Sequence, residues 1–290
     1  MAKRCFLIVN PTSGSYSRSK IEAVTAALRG GGLFPELMLT GCAADALLFA
    51  RRACSEEVEP FIVVGGGDGT INGVMNGVVP GRATIGVLPF GTANVLAREL
   101  KIKSTDVAVQ KIVRGESRPL QAGLLEAQGE RKYFFLMAGI GFDGAVVENV
   151  RLGEKKILGK GAYFLSALRT LAAWDRQRLE VRADGWVVDC HSAVVCNGSK
   201  YGGDFIIARA ADIFTPGFQL FCVRGGKRRT YLKLALEMVA GRAPHGQDVA
   251  FFPARELEIS GGKAVQVDGD FCCHAPVRIT TVEDFVRVIV

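Results

Sequence analysis

Four short runs rich in apolar residues mark the first part of the chain: Cys5–Val9, Pro35–Leu39, Phe61–Val64 and Thr84–Leu88. Runs of this length, bounded by Gly, Asn or Pro, read as strands buried on both faces. Between them the apolar positions recur at helical spacing. Ser17–Arg29 aligns Ile21, Val24 and Leu28, and Gly30-Gly31-Gly32 ends that helix. Ala43–Ala53 carries Ala46, Leu47, Phe49 and Ala50 on its apolar face, and Ala93–Leu100 and Thr105–Arg114 read as further helices. Strand and helix alternating in this order predict a parallel sheet with helices on both faces.

After Gly115 strand signals dominate. Ser117–Gln128 and Lys132–Ala138 flank a Gly129-Glu130 turn. One helix is predicted over Tyr163–Trp174, with Phe164, Leu165, Leu168, Leu171 and Ala172 on its apolar side. Strands follow at Leu179–Ala183, Val187–Asn197, Phe218–Val223, Glu256–Ser260, Ala264–Val267, Val277–Thr281 and Val286–Val290. Turn pairs such as Asp184-Gly185 and Gly261-Gly262 separate some of them. The expected fold is an α/β N-terminal domain with a parallel sheet over residues 1–125, then a mainly antiparallel β-sandwich over residues 126–290.

In open parallel sheets, ligands sit beyond the carboxyl ends of the strands. Each of the first four strands here ends in a polar, glycine-bearing loop. They are Asn10-Pro11-Thr12-Ser13-Gly14, Thr40-Gly41, Gly65-Gly66-Gly67-Asp68-Gly69-Thr70 and Gly91-Thr92-Ala93-Asn94. Three consecutive glycines leave backbone N–H groups bare to a polyanion. Asp68 suits a metal ion, and Thr70 is expected to cap a helix beginning at Ile71-Asn72. A glycine-rich turn also arises for steric reasons alone; four such loops on one sheet edge argue for a phosphate site. The pattern is neither the P-loop nor the dinucleotide fingerprint.

Charge and cysteine usage narrow the setting. Net charge is +7 over 290 residues, which suits phosphate ligands or an anionic surface. Clusters stand at Arg151 to Lys160 and at Lys227-Arg228-Arg229, and no aromatic-interleaved basic stripe suggests nucleic acid. The eight cysteines, among them the adjacent pair Cys272-Cys273, form no CxxC pair, so a zinc site is not expected and a reducing compartment is. Met1-Ala2-Lys3-Arg4 precedes an apolar run, Cys5 to Val9, that is too short for a signal peptide and reads as the first buried strand. Further on, Gly139-Ile140-Gly141-Phe142-Asp143 reads as a tight turn, and Asn197 to Gly203 as a glycine-rich loop. Val267-Asp268-Gly269-Asp270 has two readings. In an extended segment both carboxylates face one side, as a base and a metal-water ligand would; the alternative is a β-turn.

The ordered motifs Asn10–Gly14, Gly65–Thr70 and Gly91–Asn94 resemble the diacylglycerol kinase catalytic domain, and more narrowly the bacterial lipid kinases related to diacylglycerol, sphingosine and ceramide kinases. Gly139–Asp143, Asn197-Gly198, Tyr201–Gly203 and Val267–Asp270 extend the resemblance over essentially the whole chain. It implies an ATP-dependent lipid kinase of phospholipid metabolism, with an interdomain cleft, ATP against the first domain and a lipid hydroxyl reaching in from the second. Asn10, Thr12, Thr40, Gly66, Gly67, Asp68, Gly69, Thr70 and Thr92 are implied to bind nucleotide, with Asp68 on Mg2+. Asp268 and Asp270, with Asp68, are implied to be catalytic. The partners implied are a lipid substrate at the membrane surface and no nucleic acid, in a cytoplasmic protein attached peripherally at the inner face. Oligomeric state is not legible.

The chain departs from the family pattern at several points. Gly73 and Val95 stand where acidic residues are usual, as does Gln121, and Asp270 is one methylene shorter than the usual Glu. Pro216 stands where family members with a structural magnesium have an Asp, in the loop Asp212–Gly217, so that second ion is expected to be absent or weak. Two other readings share the glycine loop: a soluble-substrate kinase of NAD kinase type, and a non-catalytic nucleotide or lipid sensor.

Overall fold

The computed structural model describes residues 3–151, 153, 154, 159 and 161–290. Met1 and Ala2, and Lys155, Lys156 and Lys160 of the first basic cluster, lie outside the described residues. The chain divides into two compact units, residues 1–121 with 283–290, and residues 122–282. The two are described in turn.

The first unit alternates β1 (Lys3–Val9), α1 (Arg18–Gly30), β2 (Leu33–Leu39), α2 (Asp45–Glu56), β3 (Phe61–Gly66), α3 (Asp68–Gly77), β4 (Thr84–Pro89), α4 (Val95–Glu99) and α5 (Thr105–Arg114), then enters β5 (Ser117–Ala127). Its strands lie in the order β2-β1-β3-β4, all parallel. Every residue of β3 is buried, as a strand covered on both faces requires. The last strand of the chain returns here: Arg287 and Val288 pair in parallel with Thr84 and Ile85. The sequence pattern shows no sign of this return, because strand pairing at long sequence separation leaves no local trace. Gln121 holds the returning segment, donating from Nε2 to Asp284 Oδ1 at 3.2 Å and accepting from the Asp284 N–H at 2.8 Å.

The second unit holds β6 (Glu130–Phe134), β7 (Met137–Ile140), α6 (Phe142–Glu148), α7 (Gly161–Ala172), β8 (Leu179–Ala183), β9 (Trp186–Cys190), β10 (Ser192–Cys196), β11 (Lys200–Tyr201), β12 (Phe205–Ile206), β13 (Phe218–Val223), α8 (Arg228–Val239), β14 (Val249–Ala254), β15 (Glu256–Ser260), β16 (Ala264–Val267), β17 (Asp270–His274) and the first part of β18 (Val277–Ile289). One antiparallel sheet runs β14-β13-β10-β7-β16-β17; facing it is an antiparallel set β18-β15-β8-β9. Their inner faces share one core, with Leu179, Val181, Leu257 and Ile279 on one side and Ile140, Val195, Leu220 and Val265 on the other. This is the expected sandwich. β8 and β15 show the period-two burial that such a sheet imposes.

Three expectations needed correction. Val187–Asn197 is two strands, because the chain changes sheets at His191: Cys190 pairs with Leu179 in one sheet, and Ser192 with Val223 in the other. Val277–Thr281 and Val286–Val290 are one strand. The cluster Lys227-Arg228-Arg229 opens a helix, α8, that the apolar pattern did not reveal. All eight cysteines are free, and Cys5, Cys190, Cys196 and Cys222 are buried as small apolar groups.

Candidate functional site

In the first unit the four polar loops meet at the carboxyl ends of β1 to β4. Backbone bonds lace them together: Asn10 N–H to Gly65 O at 2.9 Å, Thr40 N–H to Val9 O at 2.9 Å, Ser15 N–H to Phe90 O at 2.9 Å and Phe90 N–H to Gly66 O at 3.2 Å. Asn10 organises the first loop. Its Oδ1 accepts from the Thr12 N–H at 2.9 Å and from Thr12 Oγ1 at 2.8 Å. Its Nδ2 donates to Thr70 Oγ1 at 3.2 Å, tying the first loop to the third. Thr70 is therefore not a helix cap. The helix starts two residues earlier, at Asp68, with Gly67 as its N-cap. The positive end of its dipole opens at the glycine loop.

Steric necessity explains the glycines. A Cβ on Gly91 would lie 2.3 Å from Gly67 Cα, so two loop backbones touch where only glycine fits. A Cβ on Gly66 would lie 2.5 Å from Thr70 Cβ. Asp68 is half-buried, and its Oδ1 accepts from the Leu96 N–H of α4 at 3.1 Å. Thr12 and Thr92 are exposed in their loops and Gly69 is exposed in the first turn of α3, whereas Thr40 is buried just after β2.

The sequence reading gave no role to Asn94, although it named the loop, and did not single out Lys20. Asn94 sits in the left-handed region at φ 49°, accepts from the Gly91 N–H at 2.8 Å and donates to Gly91 O at 2.7 Å, closing its own loop. Asn is the residue most tolerant of that conformation after glycine, which was the available signal. Lys20, in the first turn of α1, places Nζ 2.6 Å from Ser15 O and 5.4 Å from the Phe90 ring centre, a cation beside the loops.

The departures from the family pattern have packing reasons. A Cβ on Gly73 would stand 3.0 Å from Ala46 Cβ, and one on Gly77 2.3 Å from Leu47 O. α3 and α2 thus cross at close range, so a side chain at 73 would press on Ala46 by a few tenths of an ångström, while Gly77 touches the backbone of α2. Val95 is buried in the first turn of α4, and Gln121 is consumed by Asp284.

In the second unit the paired-carboxylate segment is a turn. Asp268 (φ 49°) and Gly269 (φ 91°) are the two central residues of the β16–β17 hairpin, with Val267 paired to Asp270. Positive φ at both positions makes a type I′ turn, so the two carboxylates do not share one face of an extended strand. Asp268 accepts from the backbone N–H groups of Phe135 at 2.9 Å, Leu136 at 2.9 Å and Met137 at 3.0 Å. That carboxylate anchors the approach to β7. Asp270 is exposed at the first position of β17.

A second carboxylate supports the same turn from behind. Gly141, at φ 90°, starts α6 where a turn alone was expected, and Asp143 points inward from it. Tyr201 Oη donates to Asp143 Oδ1. Gln266 Nε2 donates to Asp143 Oδ2 at 2.6 Å, and Gln266 Oε1 accepts from the Gly269 N–H at 2.7 Å. Burial pushes the Asp143 carboxyl above its ordinary range, against the pull of Tyr201 and Gln266; burial and the facing carboxylate raise Tyr201. The chain Asp143–Gln266–Gly269 fixes the hairpin tip from the motif Gly139–Asp143.

Among the described residues no cluster of three metal-ligating side chains occurs. Asp68 alone, beside bare glycine backbone, fits magnesium held chiefly by nucleotide phosphates and water, the usual arrangement for that ion. The Asp212–Gly217 loop does not fit a caged ion: Asp212 bonds the Phe214 N–H at 3.0 Å and Thr215 Oγ1 at 3.2 Å, and Pro216 offers no side-chain ligand. No described helix is long and apolar enough to cross a membrane.

Comparison with known proteins covers both units. Residues 4–125 match the diacylglycerol kinase catalytic domain, and residues 137–290 match the YegS C-terminal NAD kinase beta sandwich-like domain. The chain is 32% identical over 300 residues to a diacylglycerol kinase of Staphylococcus aureus, covering 99% of this chain and 92% of that one. It is 27% identical to a diacylglycerol kinase of Bacillus subtilis, covering 99% and 96%. A crystal structure of a diacylglycerol kinase from Bacillus anthracis superposes with a TM-score of 0.81 at 23% identity, covering 99% and 96%, and carries the fold.

Proposed function

The chain belongs to the diacylglycerol kinase family, and from that premise we propose that it transfers the γ-phosphoryl group of ATP to a lipid hydroxyl, diacylglycerol first among them. The observation that carries this reading is the convergence of the Asn10, Thr40, Gly65–Thr70 and Gly91–Asn94 loops on one edge of a parallel sheet.

In this reading Asn10, Thr12, Thr40, Gly66, Gly67, Gly69, Thr70 and Thr92 cradle the nucleotide, chiefly through backbone N–H groups and hydroxyls. Asp68 holds Mg2+, which when bound neutralises phosphate charge. Lys20 adds a positive charge at the loop edge. Asp270 takes the proton of the lipid hydroxyl as its oxygen bonds to phosphorus. The bond from phosphorus to the ADP oxygen breaks, leaving ADP and the phosphorylated lipid. Asp268 serves by holding the hairpin that carries Asp270. Such transfers depend on positioning and charge neutralisation more than on covalent chemistry. The protein works in the cytoplasm, attached peripherally at the inner membrane face.

Labelled ATP, magnesium and a total lipid extract, resolved by thin-layer chromatography, test the reading. A labelled lipid co-migrating with phosphatidic acid is expected; no labelled lipid from a folded chain defeats it. The match of the second unit to an NAD kinase-like sandwich keeps one competitor in view. Formation of NADP from NAD and ATP would favour that competitor.

A further inference from the structure

Helix α8 is amphipathic on the wrong side. Its inward face, Thr230, Tyr231, Leu234 and Glu237, packs on the unit. Its outward face should then be polar, but Leu232 is 50% exposed, Leu236 71% and Val239 76%. These three stand four and three residues apart, one stripe along the solvent side. β12 packs beside the helix and exposes Phe205 and Ile206.

Charge surrounds the stripe. The segment from Lys227 to Arg242 has five cations and one carboxylate, Glu237. That carboxylate is turned inward, 3.5 Å from Lys233 Nζ and 3.4 Å from His245 Nδ1. Lys227, Arg228 and Arg229 crowd the helix N-terminus, where the helix dipole disfavours cations. Arg228 has a structural use, donating to Ala172 O at 3.0 Å at the end of α7.

An apolar stripe ringed by Lys and Arg is the pattern of a helix that lies in a membrane interface. A second copy of the chain suits it less, because a two-fold contact would set these cations against each other. We infer that the outer face of α8, with Phe205 and Ile206 beside it, docks the chain onto anionic lipid bilayers. The inference rests on the lipid reading of the substrate and adds how the chain reaches it.

Vesicle co-sedimentation of the full chain tests this, using equal parts phosphatidylglycerol and phosphatidylcholine against phosphatidylcholine alone. The wild type should bind the anionic vesicles, less so at high salt. Leu236→Glu with Val239→Glu, both exposed, should weaken binding about tenfold or more at an unchanged melting temperature. Arg229→Gln with Lys233→Gln should weaken it about thirtyfold, from about 1 kcal/mol per cation, and decides the matter if the first variant misfolds. Both variants should keep wild-type turnover on a short-chain diacylglycerol in detergent. A wild type inactive there would fault the kinase reading while leaving the binding measurement intact. Folded variants that bind anionic vesicles like the wild type, or a wild-type dimer that these substitutions split, would overturn the inference.

Discussion

The two units use their polar groups in opposite ways. At the loops of the first unit, backbone and small side chains do most of the work: Gly67 against Gly91, Asn10 on Thr12 and Thr70, Asn94 on Gly91. At the hairpin of the second unit, carboxylates are spent on holding. Asp268 bonds three backbone N–H groups, and Asp143 is buried behind Gln266. A phosphate needs many N–H donors and little added negative charge, so a backbone surface suits it. A base must keep a carboxylate within reach of its substrate; Asp270 is exposed, and it is the residue proposed for that role. The lesson is that two acids separated by one glycine need not share a task.

The sharpest way to break this contrast is Asp270→Asn. Loss of a general base should lower kcat about a thousandfold, with the urea midpoint unchanged. Asp268→Ala should behave differently, costing about 3 kcal/mol in urea unfolding as three N–H groups lose their acceptor. Equal kinetic losses with no stability change in Asp268→Ala would erase the distinction between the two acids.

For the first unit, Gly91→Ala pushes a methyl against Gly67. Nucleotide affinity by calorimetry should fall about thirtyfold, roughly 2 kcal/mol, while Gly81→Ala, in open space at φ 79°, should leave affinity unchanged. The smallest effect concerns Asp143. Its carboxyl is raised by burial, so the folded chain holds its proton more tightly than the unfolded one. Its contribution to stability is full below the ordinary carboxylate pKa and is lost as pH rises through the raised value. Urea midpoints from acid to neutral pH should fall more steeply in the wild type than in Asp143→Asn.

Much of the first unit was legible because glycine motifs and buried strands leave local marks. Phe61–Gly66 followed by a glycine loop is such a mark, and Thr105–Arg114 is the helix its spacing predicts. The second unit was legible strand by strand, but its connections were not. At the sheet switch His191 packs among residues distant in sequence, with Trp174 stacked 4.8 Å away and Tyr231 Oη 2.6 Å from Nδ1, contacts that leave no local mark. Helix α8 was hidden because apolar residues on both faces blur its period. The support of the hairpin by Asp143 joins residues far apart in sequence, through Gln266, which carries no motif.

The central claim is that the Gly65–Thr70 loop, with Asp68, presents a nucleotide whose phosphoryl group goes to a lipid. The direct test is transfer of label from γ-labelled ATP to diacylglycerol in mixed micelles by the wild type and by Asp68→Asn. Labelled phosphatidic acid is predicted from the wild type, and about a hundredfold to a thousandfold less from a folded Asp68→Asn chain. Equal labelling by both proteins would contradict the account.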